Sequence, residues 1–314
     1  MEISITIEAM YGLNWSLWRH LVQRVEQMGF DGLFRSDHFM IGKTGSDSLE
    51  LITSLTYLAE HSQAIHFGSL VAPLSFRNPV MLARQAMAIN DLSGGRMILG
   101  VGAGWHEDEH TMFGYQLGDK KTRLDRFDEG LQVITRLVHS SQPESFDGQF
   151  FKLREAQLVP QSPVRIMVGG NGLKRTLPLV ARYADIWNCQ VVEPAKFKEI
   201  NSRLDALIGE AGREPGQVKR TVMLPVFCQR TEKDLERHLA MIKQHAAPFY
   251  TYSDDELKAW LYSLKGIIGS PQQIVDGLSA YSELGAEEII LEWFGLYDLE
   301  GFELLGSEVL PHFR

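Results

Sequence analysis

The sequence has few cysteines, no long apolar run and no excess of basic residues, and each absence excludes a class of protein. Its two cysteines among 314 residues, Cys189 and Cys228, lie far apart, which excludes a disulfide scaffold and a Cys-x-x-Cys zinc site. No apolar stretch approaches about 18 residues, so we expect no membrane span. The net charge of -9 gives no electrostatic reason to expect nucleic acid or an anionic membrane as a partner.

The N-terminal residues alternate between apolar and polar in the manner of a β-strand, with no basic patch followed by an apolar run. We therefore expect no secretory signal and a protein of the reducing cytoplasm. Acidic and basic residues are interspersed along the sequence, and no run rich in Ser, Gly or Pro marks a linker. The sequence thus predicts one continuous domain over residues 1–314.

Short apolar or β-branched runs alternate with longer segments of helical period, an order typical of a parallel sheet wrapped in helices. A capping residue followed by proline predicts helix starts at Asn78-Pro79 and Ser270-Pro271. Eight such units in about 300 residues predict an α/β fold, the (β/α)8 TIM barrel. The predicted strands span roughly 2–8, 32–37, 66–72, 97–102, 164–169, 185–190, 221–228 and 287–293.

Two segments are too long to be plain loops of such a barrel, and a third is irregular. They are residues 104–120 after the fourth strand, 141–163 before the fifth strand and 246–265 after the seventh. The second segment contains Asp147-Gly148 between apolar residues, which predicts a β-hairpin. The third segment is rich in aromatic residues and is predicted to form a lid or a pair of inserted helices.

Active sites of TIM barrels lie at the C-terminal ends of the strands, so polar residues at these ends are candidates for catalysis. The second strand ends in Asp37-His38, which places a carboxylate next to an imidazole that is a candidate proton donor. The alternative is structural, with Asp37 capping the following turn and His38 as a polar loop residue. In the third strand, the pair Gly68-Ser69 indicates a bulge or a close ligand.

The fourth strand leads into a segment with a zinc-site pattern, since residues 106–110 read His-Glu-Asp-Glu-His. The surrounding sequence is charged and glycine-rich, so we predict a solvated acidic turn over the barrel mouth and no metal site. Glu107 remains a candidate for contact with a ligand. Glycines at 100, 102 and 104 leave room for a flat ligand, although they lack the third glycine of a dinucleotide fingerprint.

The fifth strand ends in a glycine-rich turn, residues 169–172, that opens onto a helix beginning near Lys174, Arg175 and Thr176. Backbone N–H groups at a helix N-terminus, with a cation and a hydroxyl in the first turn, suit a phosphate group. A glycine turn without a ligand is the alternative.

Five segments, in this order along the chain, resemble the bacterial luciferase-like superfamily of flavin- and deazaflavin-dependent oxidoreductases. The resemblance implies a (β/α)8 barrel with the ring of the cofactor at its C-terminal mouth. It also implies a non-prolyl cis peptide in the third strand, expected at Ser69-Leu70, within a bulge that backs the ring. The five segments are 29–39, 76–85, 91–105, 123–130, and 168–172 taken together with 184–188.

Residues 36–39 and 102–110 are more similar to the branch of the superfamily that uses coenzyme F420. This resemblance implies that Asp37 and His38 lie beside the cofactor and that Glu107 contacts its ring. It assigns the remaining cofactor contacts to the ring-backing bulge, the loop after the fourth strand and the glycine-rich turn. These residues are Ser69, Leu70, Gly104, Trp105, His106, Gly169, Gly170, Asn171, Gly172, Arg175 and Thr176.

The resemblance implies hydride transfer between C5 of the deazaflavin and a small organic substrate. His38 then donates a proton or stabilises developing charge, Asp37 orients it, and Glu107 or Glu8 handles a second proton. The alternatives are an FMN-dependent monooxygenase, supplied with reduced flavin by a partner reductase, and a flavin-binding member without turnover. A homodimer is expected by resemblance. The substrate pocket is expected to be shaped by residues 40–48, 106–120 and 246–265.

Overall fold

Eight parallel strands close into a barrel in the computed structural model, which describes residues 1–42 and 45–314. The barrel consists of β1, β2, β3, β5, β8, β9, β10 and β12, and pairing of β10 with both β9 and β12 closes it. The strands are β1 (Glu2–Ile7), β2 (Gly32–Arg35), β3 (His66–Ser69), β4 (Ala72–Pro73), β5 (Met97–Gly102), β6 (Glu144–Asp147), β7 (Lys152–Ala156), β8 (Arg165–Gly169), β9 (Ile186–Cys189), β10 (Lys219–Cys228), β11 (Ile267–Gly269) and β12 (Glu288–Trp293). The predicted TIM barrel is confirmed.

All eight predicted strands are present, but two of them end two or three residues earlier than the sequence suggested. The second strand ends at Arg35 and the third at Ser69, because the chain turns into irregular structure at the barrel mouth. Two short strands were not predicted: β4 pairs with β5, and β11 pairs with β10.

The helices pack their apolar faces against the outside of the barrel and begin where capping residues are found. Asn78 accepts hydrogen bonds from the backbone N–H groups of Val80 and Met81, and Ser270 forms a capping box with Gln273, as predicted. No described helix has both the length and the apolar character needed to cross a membrane. The helices are α1 (Trp15–Met28), α2 (Leu51–His61), α3 (Pro79–Leu92), α4 (Glu107–Met112), α5 (Lys120–His139), α6 (Thr176–Tyr183), α7 (Pro194–Glu210), α8 (Glu232–His245), α9 (Asp254–Ser263), α10 (Pro271–Ser282) and α11 (Leu299–Leu304).

The three long segments are insertions at the predicted places. Residues 104–120 contain α4, so the predicted solvated turn is wrong: the segment is a short helix with Glu109 and His110 buried. Residues 141–163 contain the predicted hairpin, formed by β6 and β7. Residues 246–265 contain one α-helix, α9, where the sequence suggested a lid or a helix pair.

The interior of the barrel is layered. Side chains alternate along a strand, so every second residue points inward, and positions 288, 290 and 292 of β12 share the inner face. Ile290 lies in an apolar layer across the middle of the barrel, together with Phe34, Ile98, Met167 and other buried side chains. Glu288 lies on the N-terminal side of this layer and Glu292 on the C-terminal side. A larger apolar core fills the space between the barrel and the helices.

A cluster of charged and polar groups holds Glu288 at the N-terminal end of the barrel. The carboxylate of Glu288 is fully buried, accepts a hydrogen bond from Ser4 Oγ at 2.5 Å, and lies 2.8 Å from both His66 Nε2 and Lys219 Nζ. Burial alone would raise the pKa of Glu288, but His66 and Lys219 outweigh it and lower the pKa to about 2. Glu2, His66 and Glu288 are close enough to hold a metal ion, but the Lys219 ammonium already contacts both carboxylates.

This cluster predicts a specific pH dependence of stability. Because the pKa of Glu288 falls from 4.5 to about 2 on folding, its contribution is complete above pH 4.5 and is lost as the pH falls towards 2. We expect the free energy of unfolding to fall by about 3 kcal/mol over this window through Glu288. Urea unfolding between pH 5 and 2.5 should show a weaker pH dependence in Glu288→Gln. The exposed Glu283→Gln should match the wild type, and equal slopes in all three proteins would contradict the assignment.

Candidate active site

A cavity of about 330 Å³ opens at the C-terminal ends of the barrel strands. Each of the eight barrel strands contributes to its lining, either directly or through the residues that follow the strand. One lining residue from each strand, in chain order, is Glu8, His38, Leu70, Gly104, Gly169, Asn188, Met223 and Glu292. This location is the one in which TIM barrels carry their active sites.

The three segments expected to shape the substrate pocket each reach the cavity. Ile41 comes from residues 40–48, His110 from residues 106–120 and Leu264 from residues 246–265. Residues 43 and 44 of the first segment lie outside the described part of the chain. Most aromatic side chains of the third segment serve packing instead, as Trp260 does against Phe249 and Phe294.

His38 lines the cavity and is held by a buried carboxylate, that of Glu109. His38 Nδ1 lies 3.0 Å from Glu109 Oε2, and Glu109 Oε1 accepts a hydrogen bond of 2.6 Å from the Phe39 N–H. Burial alone would lower the pKa of His38, but the hydrogen bond and charge of Glu109 outweigh it and the pKa is raised. Burial alone would raise the pKa of Glu109, which His38 instead brings below its usual value. The pair therefore favours an imidazolium beside a carboxylate.

Asp37 has a different partner from the one predicted. Both of its carboxylate oxygens accept hydrogen bonds of 2.8 Å from Arg77, which also contacts Glu50 at 3.0 Å. Asp37 is buried and does not line the cavity. The prediction that Asp37 orients His38 is therefore wrong: neighbouring residues at a strand end point in different directions, and the bidentate Arg77 takes the carboxylate.

The position expected for Glu107 in the cavity is taken by Glu109. Glu107 lies in the first turn of α4, is exposed and does not line the cavity, whereas Glu109 is 1% exposed and does. A helix presents residues three and four apart on one face, so 106, 109 and 110 point inward together while 107 and 108 point to solvent. Helical spacing was thus a signal in the sequence that could have selected Glu109.

His106 and His110 are engaged in holding α4 rather than placed around a metal ion. His106 Nδ1 accepts a hydrogen bond of 3.0 Å from the Glu109 N–H and so caps the helix. His110 Nδ1 lies 2.7 Å from the His106 carbonyl oxygen, and its Nε2 lies 2.7 Å from Ser75 Oγ. His106 does not line the cavity, although His110 does.

A bulge at the end of the third strand forms one wall of the cavity. Leu70 and Val71 line it, and the peptide bond between them is cis. The cis bond was predicted one residue earlier, at Ser69-Leu70, which is wrong. Ser69 still belongs to β3, since its hydroxyl hydrogen bonds to both the carbonyl oxygen and the N–H of Gly100, and the Leu70 N–H donates to the Arg35 carbonyl oxygen at 2.8 Å. Ser69 lies behind the wall and does not reach the cavity.

The loop after the fourth strand places Gly104 and Trp105 at the rim of the cavity. Gly104 has a φ of +84°, and a Cβ atom there would come within 2.0 Å of Ser75 Oγ. Trp105 is 62% exposed, and its ring stands edge-on to the His38 imidazole with 5.7 Å between the ring centroids. Both residues line the cavity beside His38, and their contact with a cofactor stays a prediction.

The glycine-rich turn after β8 reaches the cavity only at Gly169. A Cβ atom at Gly172 would meet the Thr176 side-chain oxygen at 2.8 Å, and the Asn171 side chain is paired with the backbone of Gln190. Helix α6 begins at Thr176 without a side-chain cap.

The first-turn N–H groups of α6 therefore have no side-chain acceptor at the N-cap position, which suits an anion. Arg175 is paired with Asp125, so its charge is partly neutralised.

The charged side chains that line the cavity are mainly acidic. Its lining includes the side chains of Glu8, Glu109 and Glu292, together with His38 and His110. Neither a lysine nor an arginine lines it among the described residues. Glu109 and Glu292 were not predicted as cavity residues. Glu292 could not be recognised from the sequence, because the register of β12 with β1 decides which of its side chains point into the barrel.

The His38–Glu109 contact predicts that Glu109→Gln lowers the pKa of His38. Without the carboxylate, burial becomes the dominant influence on the imidazole and favours its neutral form. NMR titration of the His38 ring protons measures this pKa directly. The exposed Glu107→Gln, two positions away on the same helix, should leave it unchanged. A fall of equal size in both variants would show that general surface charge, rather than the contact, sets the pKa.

Comparison with known proteins agrees with this architecture. The chain is 27% identical to an F420-dependent glucose-6-phosphate dehydrogenase from Amycolatopsis mediterranei, with 93% of this chain and 92% of that protein aligned. It is also 27% identical to the pyrimidine monooxygenase RutA from Agrobacterium fabrum, with 96% and 90% aligned. The fold is similar to that of an F420-dependent secondary alcohol dehydrogenase solved with an F420-acetone adduct, with a TM-score of 0.82, 19% identity and full coverage of both chains.

The sequence profile of one family covers most of the chain, from residue 8 to residue 288. That span includes all the barrel strands except β1 and all but the first residue of β12, and it includes His38, Glu109 and the bulge at Leu70-Val71. On this match, the protein belongs to the luciferase-like monooxygenase family.

Proposed function

We propose that the protein is an F420-dependent oxidoreductase that transfers a hydride between C5 of the deazaflavin and a small organic substrate. The observation that carries the proposal is the combination, in one cavity, of an apolar wall at Leu70-Val71 and the imidazole of His38 held by Glu109. The names of two similar proteins support the choice of cofactor, since both the glucose-6-phosphate dehydrogenase and the secondary alcohol dehydrogenase are F420-dependent.

The residues around the cavity fit a flat ring with a phosphate-bearing tail. Gly104 and Gly169 bring no side chains to the edges of the Leu70-Val71 wall, and a Cβ atom at Gly169 would crowd Val71 at 3.2 Å. The start of α6, which has no side-chain cap, would hold the phosphate. When bound, the cofactor supplies or accepts the hydride, while the protein contributes binding, orientation and proton transfer.

His38 is the residue proposed to donate a hydrogen bond to the substrate oxygen and to stabilise the negative charge that develops there. Glu109 holds Nδ1, and no described residue hydrogen bonds to Nε2, which leaves that atom for a ligand. Glu109 is the proposed orienting group, and it also keeps the imidazole charged. Asp37 and Arg77 are proposed to fix the loop that carries His38, so their contribution is to its position.

An FMN-dependent monooxygenase is the second candidate, and the similarity to the pyrimidine monooxygenase favours it. Reduced FMN reacts with oxygen, whereas a deazaflavin, with carbon in place of N5, does so poorly. The nature of the cofactor therefore decides between hydride transfer and oxygenation, and a partner reductase is needed only in the second case.

The acidic side chains that line the cavity favour an uncharged substrate. A phosphorylated sugar needs a cationic partner, and the described lining offers carboxyl groups instead of lysine or arginine. We therefore propose that the substrate is a neutral alcohol or carbonyl compound, in contrast to the sugar phosphate named for the similar dehydrogenase.

Titration of the purified apoprotein tests the cofactor. We expect F420 to bind at least about tenfold more tightly than FMN, a difference of about 1.4 kcal/mol, measured by fluorescence quenching for F420 and anisotropy for FMN. Turnover should then proceed without consumption of oxygen in an oxygen electrode. Tighter binding of FMN together with oxygen uptake would overturn the proposal in favour of the monooxygenase.

A substrate panel tests the charge of the pocket. With F420 present, uncharged secondary alcohols should reduce the cofactor, followed by loss of its absorbance, and glucose 6-phosphate should not. His38→Ala should lower the rate by about a hundredfold or more without weakening F420 binding, because it removes the hydrogen-bond donor that stabilises the developing charge. Glu107→Gln serves as the control with an unchanged rate. Reduction by glucose 6-phosphate alone would contradict the uncharged-substrate proposal.

A further inference from the structure

Strand β12 carries two inward-facing glutamates, four residues apart, in opposite electrostatic surroundings. Glu288, at the N-terminal end of the barrel, contacts His66 and Lys219. Glu292, at the C-terminal mouth, lies opposite Thr6 of β1 and Pro225 of β10 in the strand register. Neither neighbouring strand offers Glu292 a cation at that level, so its charge must be handled in another way.

The group that meets Glu292 is a second carboxyl group, that of Glu8. Glu8 follows β1 directly and lies two positions beyond Thr6, which pairs with Glu292 in the strand register, so the two carboxyl groups line the cavity from adjacent strands. Two neighbouring carboxyl groups can hydrogen bond to each other only when one of them carries a proton. Glu8 is 6% exposed and Glu292 is 9% exposed, yet both line the cavity, so they are shielded from bulk water but open to a bound ligand.

Other charged and titratable groups nearby do not neutralise this pair. The guanidinium of Arg35 is directed to Leu49 and Ser54, to which it donates hydrogen bonds of 2.6 Å. The imidazole of His38 is bonded to Glu109. The phenol of Tyr11 stays protonated, since burial and then the charges of Glu8 and Glu292 raise its pKa.

The buried side chains beneath the pair reinforce the need for a proton. The layer below is apolar, with Ile290 and Met223 on the neighbouring inward positions of β12 and β10. The Thr6 hydroxyl is buried and has no hydrogen-bond partner among the described residues. Burial, followed by the charge of Glu8, raises the pKa of Glu292 well above 4.5. A doubly ionised pair would therefore be costly at neutral pH.

We propose that Glu8 and Glu292 share a single proton at neutral pH and that this carboxyl pair is the acid that the cavity presents to the oxygen of a neutral carbonyl or alcohol substrate. The substrate part of this inference rests on the proposed function, whereas the shared proton does not. The pair is distinct from the His38–Glu109 pair, which lies at the second and fourth barrel strands, while Glu8 and Glu292 lie at the first and eighth.

The proton balance is simple for reduction of a carbonyl compound. The carbonyl carbon gains a hydride, with its two electrons, from the reduced deazaflavin, which is thereby oxidised. The carbon–oxygen π bond breaks, and the oxygen takes the proton from the Glu8–Glu292 pair to become a hydroxyl group. The pair is left doubly ionised and regains one proton from water when the product leaves. Alcohol oxidation runs through the same exchanges in reverse.

Infrared spectroscopy of the apoprotein tests the shared proton without any cofactor. At pH 7 the wild type should show the carbonyl stretch of a protonated carboxyl group, and Glu292→Gln and Glu8→Gln should each lose it. Glu288→Gln is the matched control, because Glu288 is equally buried on the same face of β12 but is ionised through its contacts with Lys219 and His66. This control should retain the band.

Two infrared results would contradict the shared proton. Absence of the band from the wild type, or its survival in both Glu292→Gln and Glu8→Gln, would overturn the shared proton. If either variant fails to fold, judged by circular dichroism, the other variant decides the assignment. Failure of F420 to bind while the band is present would remove the proposed function and leave the carboxyl pair standing.

A carbonyl probe tests whether the pair faces a substrate. Acetone labelled with ¹³C at its carbonyl carbon should show a band shifted to lower frequency when bound to the wild type, because its oxygen accepts a hydrogen bond from the pair. The shift should shrink in Glu292→Gln and persist in Glu288→Gln. An equal shift in all three proteins, or no shifted band in the wild type, would overturn the role of the pair as the acid for the substrate.

Discussion

Alternation of side chains inside a closed barrel is the constraint on which the charged groups of this protein depend. A strand that pairs on both sides must send every second residue inward, where a carboxylate has little water and needs a partner. At the N-terminal end, Lys219 and His66 meet this need for Glu288. At the mouth the neighbouring strands offer no cation to Glu292, and the carboxyl group of Glu8 lines the cavity from the adjacent strand. The N-terminal end of the barrel therefore holds a carboxylate paired with cations, whereas the mouth holds carboxyl groups without a cation beside them.

The mouth of the barrel thus holds two separate pairs of titratable groups around one cavity. Glu109 raises the pKa of His38 and so favours its charged form. At Glu292 the surroundings also raise the pKa, and there they favour the uncharged, protonated carboxyl group. Hydride exchange with an alcohol or a carbonyl compound requires a proton to move with each hydride. A cavity with two proton-holding groups, an apolar wall and no described lysine or arginine suits that chemistry on an uncharged molecule.

Much of the fold could be predicted because local sequence signals decide it. The alternation of apolar runs with helical segments was enough for the eight barrel strands, and Asp147-Gly148 was enough for the hairpin. In the site, the sequence identified His38 and Gly104 because both follow barrel strands directly. It missed Glu109 because residues 104–120 were interpreted as a turn, so that helical spacing was not applied.

The pairing of Asp37 with Arg77 and of Glu292 with Glu8 depends on contacts between distant segments, which local patterns do not reveal.

We propose that the cofactor ring lies in the cavity between the His38–Glu109 pair and the Glu8–Glu292 pair. A crystal structure of the protein with bound F420 would show the position of the ring. We expect ring density against Leu70 and Val71, with the phosphate near the start of α6. Density for the ring outside this cavity, or against a different wall of the barrel, would contradict it.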